Sequence, residues 1–237
     1  MTYSYLDCLA YLGVGGAHPG GLLLTENILL KEEIDETKSL LDVGCGTGQT
    51  AYFIAQQYGS SITGIDNNEI MIEKARKRCI SSQVPISIKQ GAAEALPFPD
   101  EAFDYVLLES VLSFTDMKTA ILESKRVLKP HGVLLAIEMT KENNLPKEDV
   151  DFIMGFYGVS QLLTESEWRN AFQEIGFSSI DILKQEVIFD PHDLEHATDF
   201  IISENLDQEY VQLLNQHEQV TEHYRNSLGF RIIRCVK

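Results

Sequence analysis

Basic residues are scarce in this chain. Nineteen lysines and arginines stand against thirty-six aspartates and glutamates, a net charge of −17. A surface of that sign repels a phosphate backbone unless a local basic stripe offsets it. The densest basic group, Lys74, Arg76, Lys77 and Arg78, reads as the solvated face of one helix. Nucleic acids and membrane surfaces are therefore not expected partners. Cysteine is also sparse: Cys8, Cys45, Cys79 and Cys235 are scattered and form no CxxC pair. That argues against a thiolate zinc site and a disulfide framework, and no metal is expected. Long hydrophobic runs are missing, none reaching the ~18 apolar residues of a membrane span. The start, "MTYSYLDCLAYLGV", lacks the basic and apolar regions of a signal peptide. A cytoplasmic protein is the expectation. No internal repeat or low-complexity tract interrupts the chain, and its 237 residues suffice for one well-packed domain with a small accessory lobe.

Between residues 39 and 139, short apolar runs alternate with helical periodicity. "SLLDVG", "SITGID", "ISIKQG", "FDYVLLES" and "GVLLAIEM" read as strands. "QTAYFIAQQYG" places Ala51, Ile54, Ala55 and Tyr58 on one helical face and ends at Gly59. Asn67 or Asn68 can cap the next helix, with Ile72, Ala75 and Cys79 inward. "DMKTAILESKRVLKP" is a helix stopped by Pro130. Strands separated by helices imply a parallel sheet covered on both faces and doubly wound by right-handed crossovers. Beyond Met139 the regularity breaks. "TKENNLPKEDVDFIMGFYG" looks like a lid or substrate loop, "TESEWRNAFQEIGF" is a helix opened by a capping box of Thr164 with Glu167, and "SSIDILKQEVIF" is a strand. A mostly helical acidic stretch from Asp193 to Arg225 precedes a last strand, "GFRIIRCVK". The expected fold is thus α/β: a Rossmann-like, doubly wound, seven-stranded, mostly parallel sheet with an N-terminal helical extension and a C-terminal helical insertion. In domain terms, 1–38 is a helical cover, and 39–237 the main domain, with 141–163 as lid and 191–226 as insertion.

"LLDVGCGTGQT" packs Gly44, Gly46 and Gly48 into five positions directly after the first strand. A phosphate-cradling P-loop would need a lysine after its last glycine, and none follows. A dinucleotide loop would need a third glycine where Gln49 stands. The acidic residue expected at the end of the second strand is present as Asp66, whose carboxylate can accept from both hydroxyls of a ribose. The loop is built for a ribose without the signature of a phosphate.

Four blocks, "LLDVGCGTG", "ITGI" followed by Asp66, "GAAEALPFPDEAFDYV" and "RVLKPHGVLLAIE", stand in an order and spacing that resemble class I S-adenosylmethionine-dependent methyltransferases. The likeness is to their small-molecule branch, with ubiquinone- and menaquinone-biosynthesis enzymes, and it covers about residues 39–139. Elsewhere only "HPGG…LT" ahead of the first strand shows a general likeness. The resemblance implies that S-adenosylmethionine is the cofactor. Asp42 would order the first loop, and Gly44, Cys45 and Gly46 would approach the methionyl part through backbone atoms. Asp66, with Asn67 beside it, would hold the ribose, and Ala92 and Ala93 would border the adenine. Many relatives carry Asp at the position of Ala92, so here Glu94 or a water would take its role, or the adenine would be held less specifically. Glu109 and Ser110 would lie under the methionyl group.

Other readings compete. Asp66 could be a helix cap, Glu109 an ordinary strand end, and His18 either a catalytic base or a loop histidine satisfied by backbone. Tyr3, Tyr5 and Tyr11 could cover the cofactor or pack the N-terminal helix. Phe152, Met154, Phe156, Tyr157 and Trp168 could line an apolar acceptor pocket or fill the core. His192 and His196 favour a surface pair over a metal site. The expected function is methyl transfer to a small, apolar or aromatic acceptor, with His18 and Glu109 as catalytic candidates and a homodimer as the assembly. A protein or RNA acceptor, or a cofactor-binding module that no longer transfers, are the alternatives.

Overall fold

The computed structural model describes residues 3–80, 82–142, 144–184, 199–204 and 207–237. Seven strands, β1 (Ser39–Val43), β2 (Ser61–Asp66), β3 (Ile86–Gln90), β4 (Phe103–Glu109), β5 (Leu128–Lys141), β6 (Ser179–Leu183) and β7 (Leu228–Val236), form one sheet. Their order is β3-β2-β1-β4-β5-β7-β6. The first five run parallel, and β7 lies antiparallel between β5 and β6. Successive residues of the central strands point to opposite faces, and both faces are buried. Leu41, Val106, Leu134 and Ile233 pack on one side with α5 (Met117–Val127) and α7 (Glu165–Glu174). Leu40, Leu107, Leu135 and Ile232 pack on the other with α2 (Gly21–Leu29) and α3 (Gln49–Tyr58).

Local chemistry sets the boundaries. α3 stops at Gly59, whose φ of 66° is left-handed. Asn68 caps α4 (Glu69–Cys79), accepting from the N–H groups of Ile70 and Met71. The Thr164–Glu167 capping box opens α7 as expected. α5 ends at Val127, and β5 is already extended at Leu128, because a proline two residues on has no N–H for a further helical turn.

Three further helices roof the carboxyl end of the sheet: α1 (Tyr5–Leu12), α6 (Lys147–Tyr157) and α8 (Gln208–His223). α1 packs on α8 through Tyr3 and Tyr11, whose rings lie 4.5 and 4.9 Å from that of Tyr210. The buried Lys74 of α4 donates to the carbonyls of Ala10 (2.6 Å) and Tyr11 (2.9 Å), tying the end of α1 to the body. Val220 of α8 packs with Ile153 and Tyr157 of α6.

Four boundaries depart from the sequence reading. The stretch after Met139 is no plain loop: β5 runs on to Lys141 and α6 follows, burying Ile153 and Tyr157. The helical cover expected over 1–38 is broken between α1 and α2, which runs Gly21–Leu29. Residues 199–204 are not helical; Phe200 bridges Val14, and the N–H of Ile201 donates to Gly13, so tertiary pairing with the α1 loop overrides helical composition there. β6 ends at Leu183, with Lys184 already outside it, and residues 185–189 of that expected strand, the first part of the insertion, His192 and His196 all fall outside the described residues. No described helix is long and apolar enough to cross a membrane.

Candidate functional site: an acidic cleft where the strand order reverses

Strand order reverses between β1 and β4, so the connections after them leave on opposite faces and their carboxyl ends open a crevice. Val43 pairs with Ile65 on one side and Leu108 on the other, which brings the following residues, Gly44, Asp66 and Glu109, to one rim. A cavity of about 720 Å³ opens there. Asp42, Asp66, Glu94, Glu109 and Glu218 all line it, and among the described lining residues there is no lysine or arginine.

The glycines divide their work. Gly44 has φ 73°, and a Cβ on it would strike the side chain of Val111. Gly46 has φ 51° and nothing within 4 Å of a notional Cβ, so its bare face opens onto free space. A Cβ on Gly48 would crowd Ala75 at 3.1 Å, so this glycine packs α3 on α4. The backbone donors are already used: Gly44 and Cys45 donate to the carbonyl of Ile65 (2.7 and 3.0 Å), and Gly46 donates to Asp66 Oδ2 (2.9 Å). The loop therefore offers a ligand acceptors and bare Cα rather than donors. Burial, with Asp42 and Asp66 nearby, pushes the Cys45 thiol up, so it is no nucleophile.

Asp66 is pre-oriented. Oδ1 accepts from Asn68 N–H at 2.8 Å, and Oδ2 from Gly46 N–H, leaving each oxygen free capacity toward the cavity. Burial raises its carboxyl, and the backbone donors of Asn68, Gly46 and Asn67 oppose the rise. The α4 cap is Asn68, so Asp66 is not spent as one. Asp42 is 2% exposed, and its Oδ2 has no partner among the described residues. Burial pushes its carboxyl well above the usual range, and the Glu109 and Asp66 charges push the same way. Gln49 Oε1 is a second buried, unpartnered acceptor in a lining side chain.

Glu109 is tied down on both oxygens. Thr25 Oγ1 donates to Oε1 at 2.5 Å and Thr50 Oγ1 to Oε2 at 2.8 Å. His18 Nε2 stands 3.6 Å from Oε2 and 3.3 Å from Thr25 Oγ1, while Nδ1 faces the Pro19 carbonyl at 3.3 Å. Thr25 gives its one hydroxyl hydrogen to Glu109, so His18 Nε2 can meet Thr25 Oγ1 only as a donor. Thr25 and Thr50 were missed by sequence reasoning, although Thr25 is the threonine of "HPGG…LT". Ser110 takes the left-handed φ of 58° and donates its N–H to Ile137 (2.7 Å). Behind it, buried Glu138 of β5 accepts from the N–H groups of Val111 (2.9 Å), Leu112 (2.7 Å) and Ser113 (3.3 Å), fixing the turn that Gly44 packs against.

Ala93, Glu94 and Asn67 line the cavity, but Ala92 does not. Its carbonyl accepts from Ala95 in the local turn. One oxygen of Glu94 is committed to the N–H of Asp116 (3.0 Å). Of the aromatic candidates, Tyr5 and Tyr157 reach the cavity. Phe152 is 53% exposed, and Trp168 is fully buried in the core with its Nε1–H on the Met139 carbonyl. Phe114, Met139, Leu214, His217 and Phe230 complete the far wall, and none of them was singled out from the sequence. Their signal was weak because they come from four separate elements. Among the described residues no cluster of three or more His, Cys, Asp or Glu is placed to hold a metal.

The family model of a methyltransferase domain matches residues 41–136. The chain is 36% identical over 236 residues to the uncharacterized methyltransferase YodH of Bacillus subtilis, covering 98% of this chain and 99% of that protein. It is 38% identical over 109 residues to a demethylmenaquinone methyltransferase of Staphylococcus aureus, covering 45% of this chain and 44% of that one. Among solved structures, phosphoethanolamine N-methyltransferase 2 of Haemonchus contortus with S-adenosyl-L-methionine superposes with a TM-score of 0.80 at 19% identity, over 100% of this chain and 58% of that one.

Proposed function

The chain belongs to the class I S-adenosylmethionine-dependent methyltransferases of small-molecule type, and from that premise we propose a role for each residue of its cleft. The observation that carries the reading is the Asp66 carboxylate, held by two backbone donors at the mouth of a cavity whose other charged side chains are acidic. The donor set fits this cofactor. A sulfonium and an ammonium are cations, and the cleft offers them Asp42 with its unpartnered Oδ2, the unpartnered Gln49 Oε1 and no competing lysine or arginine among its described lining.

When bound, the cofactor supplies a methyl carbon already activated by a sulfonium, so alignment and exclusion of water are the protein's main tasks. Asp66, with Asn67 beside it, would accept from the ribose hydroxyls. Asp42 and the carbonyl side of Gly44, Cys45 and Gly46 would meet the cationic methionyl end. Ala93 would border the adenine, with the free oxygen of Glu94 available to its amino group; Ala92 would act through its backbone. Glu109 and Ser110 would lie beneath the methionyl group. Because His18 Nε2 faces Glu109 and Thr25, its place would be to orient Glu109. Of the domain spanning 39–237 and the extension before it, α1, α6 and α8 would form the acceptor-side cover. The apolar and aromatic far wall, Phe114, Met139, Tyr157, Leu214 and Phe230, supports an apolar or aromatic acceptor. The reading extends to a cytoplasmic setting, supported by four free thiols, and to a homodimer through the outer face of α8, supported by exposed Val211.

Calorimetry with S-adenosylhomocysteine tests the assignment. The wild type should bind saturably, and Asp66→Ala should weaken binding by about 1.5–3 kcal/mol, roughly 10- to 100-fold, as for a lost charge-assisted hydrogen bond. Absence of wild-type binding at high micromolar concentration, or unchanged affinity in the variant, overturns it.

A further inference from the structure

The roof of the cleft carries a polar device separate from its acidic floor. α8 turns Leu214, His217, Glu218 and Thr221 toward the cavity, one helical face at three- and four-residue spacing. Tyr157 Oη lies 3.0 Å from His217 Nδ1. The ring of Tyr5 stands 5.3 Å from the imidazole, and that of Tyr157 5.7 Å away and nearly perpendicular. Two tyrosines from α1 and α6 thus fix the plane of a histidine from α8. Burial holds His217 below the ordinary imidazole range, against the opposing pull of Glu218, so the ring is neutral at pH 7. Burial also pushes Tyr157 up to about 12, so it stays a phenol. Tyr5, Tyr157 and Glu218 are the titratable groups that face this ring. Nδ1 is engaged by Tyr157, and no described residue hydrogen-bonds Nε2, which leaves that nitrogen for a ligand.

We propose that His217 is the general base of the methyl transfer, that Tyr157 fixes its ring, and that the acceptor is an uncharged aromatic or apolar molecule methylated on a hydroxyl oxygen. The proposal rests on the cofactor reading above. The substrate class follows from the lining. With Asp42, Asp66, Glu94 and Glu109 taken by the cofactor, a carboxylate or phosphate acceptor would meet Glu218 and no lysine or arginine among the described lining. An amine would be held protonated beside Glu218, the lining carboxylate the cofactor does not engage, and would lack a lone pair for attack. A phenolic hydroxyl, with a pKa of about 10, enters uncharged and must lose its proton as it attacks, which calls for a neutral base. His217 fits when its own hydrogen sits on Nδ1 and is donated to Tyr157. The acceptor O–H bond then breaks, its proton passing to Nε2 and its electron pair remaining on oxygen. That oxygen forms the new bond to the methyl carbon. The carbon–sulfur bond breaks with its pair left on sulfur, now a neutral thioether, and the imidazolium returns its proton to water.

The test has three arms. S-adenosylhomocysteine calorimetry on the wild type, His217→Gln and Tyr157→Phe should give equal affinities; failure of the wild type to bind sinks the underlying cofactor reading, and a drop in the variants sinks the assignment of these residues to the acceptor side. With S-adenosylmethionine, catechol and 4-methylphenol should be methylated in preference to benzylamine and benzoate. His217→Gln should lower kcat by about 10²- to 10⁴-fold with KM little changed, and remove the acid limb of the pH–rate profile. Tyr157→Phe should move that limb. In protein loaded with S-adenosylhomocysteine, 4-nitrophenol, at a pH low enough to keep it uncharged in solution, should perturb the His217 imidazole NMR resonances and show a larger phenolate absorbance than with His217→Gln at that pH. Methylation of the amine or the acid instead, no methylation of either phenol by cofactor-competent protein, or an unchanged acid limb in His217→Gln refutes the proposal.

Discussion

Replacing Gly46 and Gly44 separately by alanine distinguishes a glycine kept for a ligand from one kept for packing. Both have left-handed φ, 51° and 73°, which costs an L-residue about 1–2 kcal/mol. At Gly46 nothing lies within 4 Å of the new methyl, so that strain is the whole folding cost. One kcal/mol moves the melting temperature of a chain this size by about 2–4 °C. Gly46→Ala should therefore lower Tm by roughly 2–8 °C. At Gly44 the methyl meets Val111, on a turn held by Glu138, and the turn cannot move aside cheaply. Overpacking adds about 1–3 kcal/mol, and Gly44→Ala should lower Tm by roughly 4–20 °C. Binding reverses the ranking in its logic. The Gly46 methyl projects into the space assigned to the methionyl group, so affinity for S-adenosylhomocysteine should drop at least about tenfold, 1.4 kcal/mol, beyond any effect of unfolding. Differential scanning fluorimetry with and without ligand, backed by calorimetry, reads both quantities. A folded Gly46→Ala that binds within twofold of wild type would mean that no ligand lies against that face.

Two further perturbations address the supports of the site. Burial pushes the Glu138 carboxyl up to about 7, against the donors from Leu112, Ser113 and Val111. The folded chain thus keeps a proton that the unfolded chain releases near the ordinary 4.5, so this group's contribution to stability falls as pH rises from about 4.5 through 7, by an order of 1–3 kcal/mol. Urea unfolding at pH 5 and pH 8 should show that this loss disappears in Glu138→Gln; an identical pH dependence in variant and wild type would refute it. Lys74→Met removes the ammonium that holds the carbonyls of Ala10 and Tyr11. Amide exchange in α1 should accelerate while the central strands keep their protection, and unchanged α1 protection would show that aromatic packing on Tyr210 alone anchors that helix.

The central sheet was legible because its rules are local. Leu40, Leu41, Val106 and Leu107 form runs apolar on both faces, which only a sheet covered on both sides can bury. Asn68, Thr164 and Gly59 marked helix ends through hydrogen bonds and backbone angles that span a few residues. Asp66 and the glycine loop were readable for the same reason, each sitting at a strand end that periodicity locates. The roof was less legible. α6 hides in a stretch that begins polar and turns aromatic, and residues 199–204 leave the helical pattern to pair with the loop after α1.

The sequence by itself determined a doubly wound sheet, a glycine loop after β1 and an acidic residue, Asp66, at the end of β2, since strand ends, turns and caps are settled by neighbours along the chain. Tertiary structure alone decided what meets across the cavity. It set His18 Nε2 against Glu109 and Thr25, sent Trp168 to the core, and brought Tyr5, Tyr157 and His217 together from three helices far apart in sequence. No periodicity encodes such meetings, because they depend on how whole helices dock rather than on the spacing within any one of them.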